Sequence, residues 1–431
     1  MRYALDAIRR RPGRSALTAL GIGLAVGLVV VLLAISAGIQ TSSSELATAS
    51  GVDLIAASPN TTLIGNSLPP VDQAHALAAE IPASDSNVAV ASPWLIGDLV
   101  YGNASLHAAV NASSVPGSWA LTDAGSVGWI PSDNGGIQTP EITNGTGFTY
   151  PGDPHYGNGT YRGPATHEIV LDQGLASVLG VTVGSVVWAA PAAPAPGESL
   201  AEWYANATAF RVVGLSGPFW LVPSALLGFL YLSEMQELVG GASASTDYAS
   251  LILIHLTDPT QAAADQTKIE LHFPDLTVFT LADILSEIQH VVDLYRTFGV
   301  LIGAIGIVVA ALFATSVLQM SVDDRSRELA LLRAIGYSRA RVAGFVVEES
   351  VILAAFGFAL GLPVAYVGAY ALNLYLLRLV PGLPTSFAFV SFDLTVILSG
   401  IALVVAVGLA AAVAPAARAM QLPVAEELRA P

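Results

Sequence analysis

A loop that cradles nucleotide phosphates ends in Gly-Lys-[Ser/Thr], and this chain has one lysine in 431 residues, Lys268, set in the stretch DQTKIEL. It cannot build that loop. The seven histidines are scattered, and His167-Glu168 lacks the second histidine of a zinc-binding helix. No GxSxG elbow is present, and without a cysteine there is no thiol nucleophile, disulfide or zinc-thiolate site. No catalytic constellation is left, so no enzyme activity and no bound cofactor or metal are expected. The spacing that does carry chemistry is N-x-[ST], the acceptor pattern for N-linked sugar. It occurs at Asn60, Asn103, Asn111, Asn144, Asn158 and Asn206, six of the ten asparagines.

A second concentration of polar residues is RSRELALLRAIGYSRARVAGF, residues 325 to 345, with five arginines and Glu328 in 21 residues. It lies between long uncharged runs. Charged residues are 12% of the chain and hydrophobic ones 53%, with mean hydropathy +0.63. Soluble domains carry roughly 25% charged residues, so this is the composition of a membrane protein. Runs of about 20 apolar residues cross a bilayer as a helix. Four qualify: Ser15–Ser44, Thr297–Val322, Val351–Leu377 and Leu394–Ala417. None contains Asp, Glu, Lys, Arg or His, which argues against a proton relay or ion coupling inside the membrane.

Positive flanks stay on the cytoplasmic side. Arginines crowd residues 1–14, the island and the tail, whereas residues 45–296 hold 24 acids against 4 bases. The expected topology places both termini and the island in the cytoplasm and the acidic segment outside a plasma membrane. The fold class is therefore an α-helical membrane protein with four transmembrane helices and a large mixed α/β extracytoplasmic domain inserted between the first and second. A cleaved signal peptide fits poorly, because the first apolar stretch exceeds the roughly 7 to 15 residues of such signals. Val212–Ser233 is also uncharged, but Pro218 and Pro223 would interrupt a helix there, and it reads as a strand followed by an apolar loop.

The division that follows is 1–44 for the basic start and first span, 45–290 for the outer domain, 291–322 for the second span and 323–350 for the island. Residues 351–378 form the third span, 379–393 a short outer loop, 394–417 the fourth span and 418–431 the tail. Within the outer domain, alternation and helical spacing give two β-α-β units at about 50–95 and 249–282. They bracket a β-rich insert at about 100–215. In the island, Arg325 to Ile335 is expected to be helical, with Leu329, Leu332 and Ile335 on one face and Arg325, Glu328 and Arg333 on the other. Gly336 stops that helix and Ser338 caps the next. The GxxxG pairs Gly23/Gly27, Gly299/Gly303 and Gly357/Gly361, and alanines at 402, 406, 410 and 414, suit close helix packing within the chain or between subunits.

RSRELALLRAIGYSRARVAGFVVEE resembles the cytoplasmic loop of FtsX-like, MacB-type ABC transporter permeases. APAARAMQLPVAEELRA is similar to that family's closing segment, and HEIVLDQGLASVLGVTVGSVV followed by FRVVGL to a stretch of its outer domain. The resemblance implies a homodimeric or pseudo-dimeric permease embedded in lipid, with no nucleic-acid partner. It works with a separate cytoplasmic ATPase, which uses the ATP and magnesium and docks near Arg325–Ile335. The function this implies is mechanotransmission, in which the ATPase cycle moves the extracytoplasmic domain to export or extract a hydrophobic or membrane-anchored substrate. The alternative is a regulatory protein that passes the ATPase cycle to an envelope hydrolase without moving cargo.

Overall fold

The computed structural model describes residues 12–423 except 60, 62–67, 112–121, 157–164, 194–196, 198, 200–201, 204–205, 218, 220–225, 241–246 and 380–386. The chain separates into a helical unit and a second compact unit built mainly from Ser43–Ile288. Among the described residues, four helices are long and apolar enough to cross a membrane. They are α1 (Pro12–Ala49), α7 (Leu281–Asp324), α9 (Arg339–Leu379) and α10 (Leu394–Gln421). Pro12 sits where a helix start needs no N–H, and the Asp393 carboxylate accepts the Val396 N–H to open α10.

The elements between α1 and α7 run β1 (Leu54–Ala57), β2 (Val71–Asp72), α2 (Ala74–Ser84), β3 (Val88–Asn103), α3 (Ala104–Asn111), β4 (Thr122–Trp129) and β5 (Ile142–Gly145). There follow β6 (Glu168–Asp172), α4 (Gln173–Leu179), β7 (Val186–Pro191), β8 (Thr208–Ser216), β9 (Leu227–Tyr231), α5 (Leu232–Gly240) and β10 (Tyr248–Ala249). Last come β11 (Leu251–Leu256), α6 (Ala262–His272) and β12 (Thr277–Thr280), with α8 (Ser326–Ala334) between α7 and α9. Among the described residues, Val212–Ser233 thus holds the end of β8 and all of β9, so Leu227–Tyr231, expected as part of an apolar loop, is a strand.

Strands β12, β1, β11 and the first half of β3 lie side by side and antiparallel, the order of a split β-α-β fold in which α2 and α6 are the crossovers. Leu54, Ile81, Ile252, Ile254, Ile269 and Val278 fill the layer between this sheet and its helices. Everything from α3 to β10 is inserted between the second and third strands of that fold. The joint is β3 itself. Its first half pairs with β11, from Val88 opposite Leu256 to Trp94 opposite Leu251. Its second half pairs with β4 and β7, with Leu95 opposite Gly128 and Leu99 opposite Pro191. One continuous strand therefore carries two cores, the second built on Leu99, Tyr101, Leu171, Leu175, Phe210 and Met235.

A buried imidazole ties the inserted part to α2. His75 Nδ1 lies 2.7 Å from Asp247 and its Nε2 3.2 Å from Asp153, with the Tyr156 ring stacked at 3.6 Å. Asp153 also accepts the N–H and hydroxyl of Ser233 at the start of α5. A neutral imidazole has one N–H to donate, whereas two carboxylates ask for two, so this geometry favours the imidazolium. Burial opposes that charge, but the hydrogen bonds to Asp153 and Asp247 outweigh it and raise His75 above the ordinary histidine value. Burial likewise opposes the charged form of Asp247, and the His75 contacts still leave its carboxyl below the usual range. Lys268, the lone lysine, braces α6 by meeting Asp85 at 3.0 Å and the buried Asp265 at 2.6 Å.

For His75 the linkage has a definite sign. A group whose folded-state pKa is raised contributes stability that is fully present below its unfolded value and lost as pH rises through the folded value. Thermal unfolding of the purified chain should therefore show the wild type losing stability as pH rises above the ordinary histidine range. His75→Gln should be less stable at mildly acidic pH by about 1.5–3 kcal/mol, the usual worth of hydrogen bonds to charged groups. Parallel pH profiles for the two proteins would remove this role from His75.

Candidate functional site: the arginine island

Residues 325–345 fold back between two membrane-type helices because a helix stop and a helix start fall three residues apart. Gly336 has φ +104°, its N–H reaches the Arg333 carbonyl, and the Tyr337 N–H reaches that of Leu332. These are the two bonds of a Schellman ending, and the left-handed residue is glycine because a Cβ is strained there. The Arg341 N–H then meets the Ser338 hydroxyl, 3.3 Å away, at the start of α9.

The intervening α8 is clamped on its inner side. Leu329, 3% exposed, joins Val322 of α7, Val342, Ala343 and Val346 of α9, and Ala416, Ala419 and Leu422 at the end of α10, with Leu332 packed alongside. Three arginines close this cluster. The Arg325 guanidinium reaches the Ser321 hydroxyl and the Glu349 carboxylate, both side chains of the ion pair being largely buried. Arg333 donates to the carbonyls of Leu422 and Met420. Arg418 meets Asp323 at 2.7 Å on the surface. The ends of α7, α8, α9 and α10 are thus bound into one polar-apolar knot.

This arrangement corrects the face assignment made from spacing. Leu329 and Leu332 point inward, but Ile335 is 73% exposed. Steps of three residues drift around a helix by about 60° each, so 329, 332 and 335 do not stay on one side. The outward face is instead Arg327, Glu328, Leu331, Ile335 and Tyr337, with Leu331 51% and Tyr337 38% exposed. Arg341 lies over the Tyr337 ring at 5.7 Å. Arg325 and Arg333, expected on the outer face, brace the inside. Glu349 was not singled out by sequence reasoning, although it continues the buried stripe Val342, Val346, Leu353 of α9, where a charge requires a partner.

Gly23, Gly27, Gly303, Gly357 and Gly361 pack inside the chain. A Cβ on Gly23 would strike the Gly357 carbonyl, one on Gly361 the Gly23 carbonyl, and one on Gly357 would come within 2.6 Å of the Ala19 carbonyl. Gly27 lies against Gly361 and Ala365, and Gly303 against Val29, while the surroundings of Gly299 fall outside the described residues. Ala402, Ala406, Ala410 and Ala414 are exposed, and the inner seam of α10 runs through Gly400, Val404, Val407, Gly408 and Ala411. Of the sequons, Asn144 and Asn206 are exposed and Asn103 is half-buried. Asn60, Asn158 and the side chain of Asn111 lie outside the described residues.

Removing one partner of a buried ion pair leaves an unpaired charge, at a cost of about 3–5 kcal/mol. Glu349→Ala should therefore lower the melting temperature in detergent and loosen the island to proteolysis. Replacing both partners, as Arg325→Met with Glu349→Leu, should recover most of the loss. Equal stability of Glu349→Ala and the wild type would show that the pair contributes nothing.

Two family models match: a MacB-like periplasmic core domain over residues 15–271 and an FtsX-like permease C-terminal over residues 300–424. The chain is 25% identical over 382 residues to the macrolide export ATP-binding/permease protein MacB of Nitrobacter winogradskyi, covering 84% of this chain and 51% of that one. It spans about half the length of this curated relative. Among solved structures, it aligns with the extracellular domain of the noncanonic ABC-type transporter YknZ from Gram-positive bacteria over 53% of this chain and 99% of that one. That alignment has 12% identity and a TM-score of 0.33. The periplasmic region of MacB from Actinobacillus actinomycetemcomitans aligns at 12% identity and TM-score 0.35, covering 56% and 94%. The larger family match spans more than half the chain and the second takes up the remaining membrane helices, so the chain belongs to the FtsX-like, MacB-type family of ABC transporter permeases.

Proposed function

We propose that this chain is the permease subunit of an ABC transporter whose ATPase is a separate cytoplasmic protein, and that the outer face of α8 is where that ATPase docks. The reading rests on one observation: α8 and the turn after it present Leu331, Ile335 and Tyr337 outward while Leu329 fixes the other side to the ends of three membrane helices. Apolar residues flanked by Arg327 and Glu328 offer a partner a small desolvated centre with a polar rim. Force applied to that face reaches α7, α9 and α10 together, because the knot of Arg325, Glu349 and Arg333 leaves α8 little freedom to move by itself. Transmission runs through these helices to the extracytoplasmic domain, and the cargo is hydrophobic or membrane-anchored. A second copy completes the transporter, with the exposed alanine face of α10 available to it. Both termini and the island face the cytoplasm under this reading, which the arginine distribution supports.

Leu331→Glu combined with Ile335→Glu should abolish co-purification of a co-expressed ABC ATPase subunit and leave the melting temperature close to that of the wild type. Leu329→Ala should instead lower stability by about 2–5 kcal/mol through loss of buried side chain. Undiminished co-purification with the double variant would place the docking surface elsewhere. In proteoliposomes containing both subunits, stimulation of ATP hydrolysis by a lipophilic compound supports transport, and an unchanged rate across such compounds supports the regulatory role.

A further inference from the structure

The six sequons all fall in the extracytoplasmic segment, but the structure does not offer them equally to a modifying enzyme. Asn144, Gly145 and Thr146 are all exposed, within a run from Glu141 to Thr146 in which every residue is exposed. Strand β5, which carries Asn144, is the last strand of its sheet and, among the described residues, pairs with β8 alone. Within that ladder Asn144 lies opposite Leu215 and Gly145, at φ +90°, opposite Gly214, and the Thr146 N–H reaches the Val213 carbonyl, so the sequon follows the sheet edge with its side chains exposed. At the Asn206 sequon the asparagine is exposed, but Thr208 is half-buried and paired with Ala189 in the β7–β8 ladder. At Asn103 the carboxamide nitrogen itself is committed: Nδ2 donates to the Leu179 carbonyl at 2.9 Å, and the residue is paired with Val187.

We propose that Asn144 carries an N-linked glycan on the folded protein and that Asn103 does not. The donor is a lipid-phosphate-linked oligosaccharide, transferred on the outer side of the membrane by an oligosaccharyltransferase. The Nδ2 nitrogen of Asn144 attacks the anomeric carbon of the sugar. An N–C bond forms, the C–O bond to phosphate breaks with its electron pair leaving on the phosphate, and the nitrogen gives up one proton. No electron acceptor is required. The reaction needs the carboxamide free to rotate into the enzyme and the hydroxyl two residues on within its reach: Asn144 is exposed, and the exposed Thr146 hydroxyl makes a long 3.4 Å contact to the Gly147 carbonyl. At Asn103 the same nitrogen would first have to give up its bond to α4.

The position also gives the sugar a physical role. An edge strand presents unpaired backbone groups to other chains, and proteins blunt such edges with charge, proline or a bulge. Strand β5 has a register irregularity between Ile142 and Asn144 but no charge among its four residues, and Ile142 is 38% exposed. A hydrated glycan on Asn144 covers this edge and the rim of the adjacent 390 Å³ cavity, lined in part by Trp129, Ile142, Phe148 and Tyr150.

The test is glycopeptide mass spectrometry on the full chain purified from membranes of its native host and digested with chymotrypsin. The Asn144 peptide should appear mainly with sugar mass and sugar fragment ions, and the Asn103 peptide at its unmodified mass. Thr146→Ala should return the Asn144 peptide to its unmodified mass, and Thr146→Ser should retain sugar. Should Thr146→Ala fail to accumulate, the wild-type peptide masses decide the matter alone. An unmodified Asn144 peptide in wild type, or equal modification of Asn103 and Asn144, would overturn the proposal.

Discussion

A guanidinium buried beside a carboxylate at a membrane-helix end is the constraint on which the arginine island depends. Arg325 has left bulk water, and Glu349 and Ser321 satisfy its donors. Such a pair adds little net stability by itself, because desolvation offsets much of the attraction. What it adds is specificity of place: with Arg325 and Glu349 joined, the end of α7 and the start of α9 have one mutual arrangement. Arg333 does the same for α8 and the end of α10 by capping carbonyls that the helix leaves without internal partners. The apolar cluster around Leu329 supplies the cohesion and the arginines supply the register.

The extracytoplasmic domain follows a similar division of labour. Apolar layers hold each half, and the sixteen-residue strand β3 passes from one to the other, so its backbone ladder couples the two cores. The His75 cluster adds a polar tie between α2 and the inserted part. Within the helical unit, close approach of two helices comes from the absence of side chains. Gly23, Gly357 and Gly361 bring α1 and α9 to backbone contact, where dispersion and weak polar contacts replace the hydrophobic effect that lipid does not supply.

Much of the architecture was legible in the chain. Uncharged runs of bilayer length and an acidic segment between the first and second marked the four helices and the inserted α/β domain, because membrane insertion is governed by composition summed over about 20 residues. Pro218 and Pro223 argued against a fifth span in Val212–Ser233, and the described residues there form the end of β8 and all of β9. Gly336 and Ser338 declared a helix boundary through their own backbone and side-chain chemistry. The inward and outward faces of α8 were not legible in the same way. Over nine residues, Leu329, Leu331, Leu332 and Ile335 satisfy more than one facing, and the choice is made by Val342, Val346, Ala416 and Ala419, which lie on other helices.

The sequence by itself determined the membrane character of these 431 residues: four uncharged spans, with a basic island between the second and third. Those properties are local or additive, so no neighbour is needed to establish them. Only the tertiary structure decided which arginines are internal braces, that Glu349 answers Arg325, that the glycine pairs join α1 to α9, and that Asn144 is open whereas the Asn103 amide is engaged. Each of these depends on a partner from a distant part of the chain. One sequence position can specify the type of a side chain, but burial and pairing belong to the surroundings that folding brings to it.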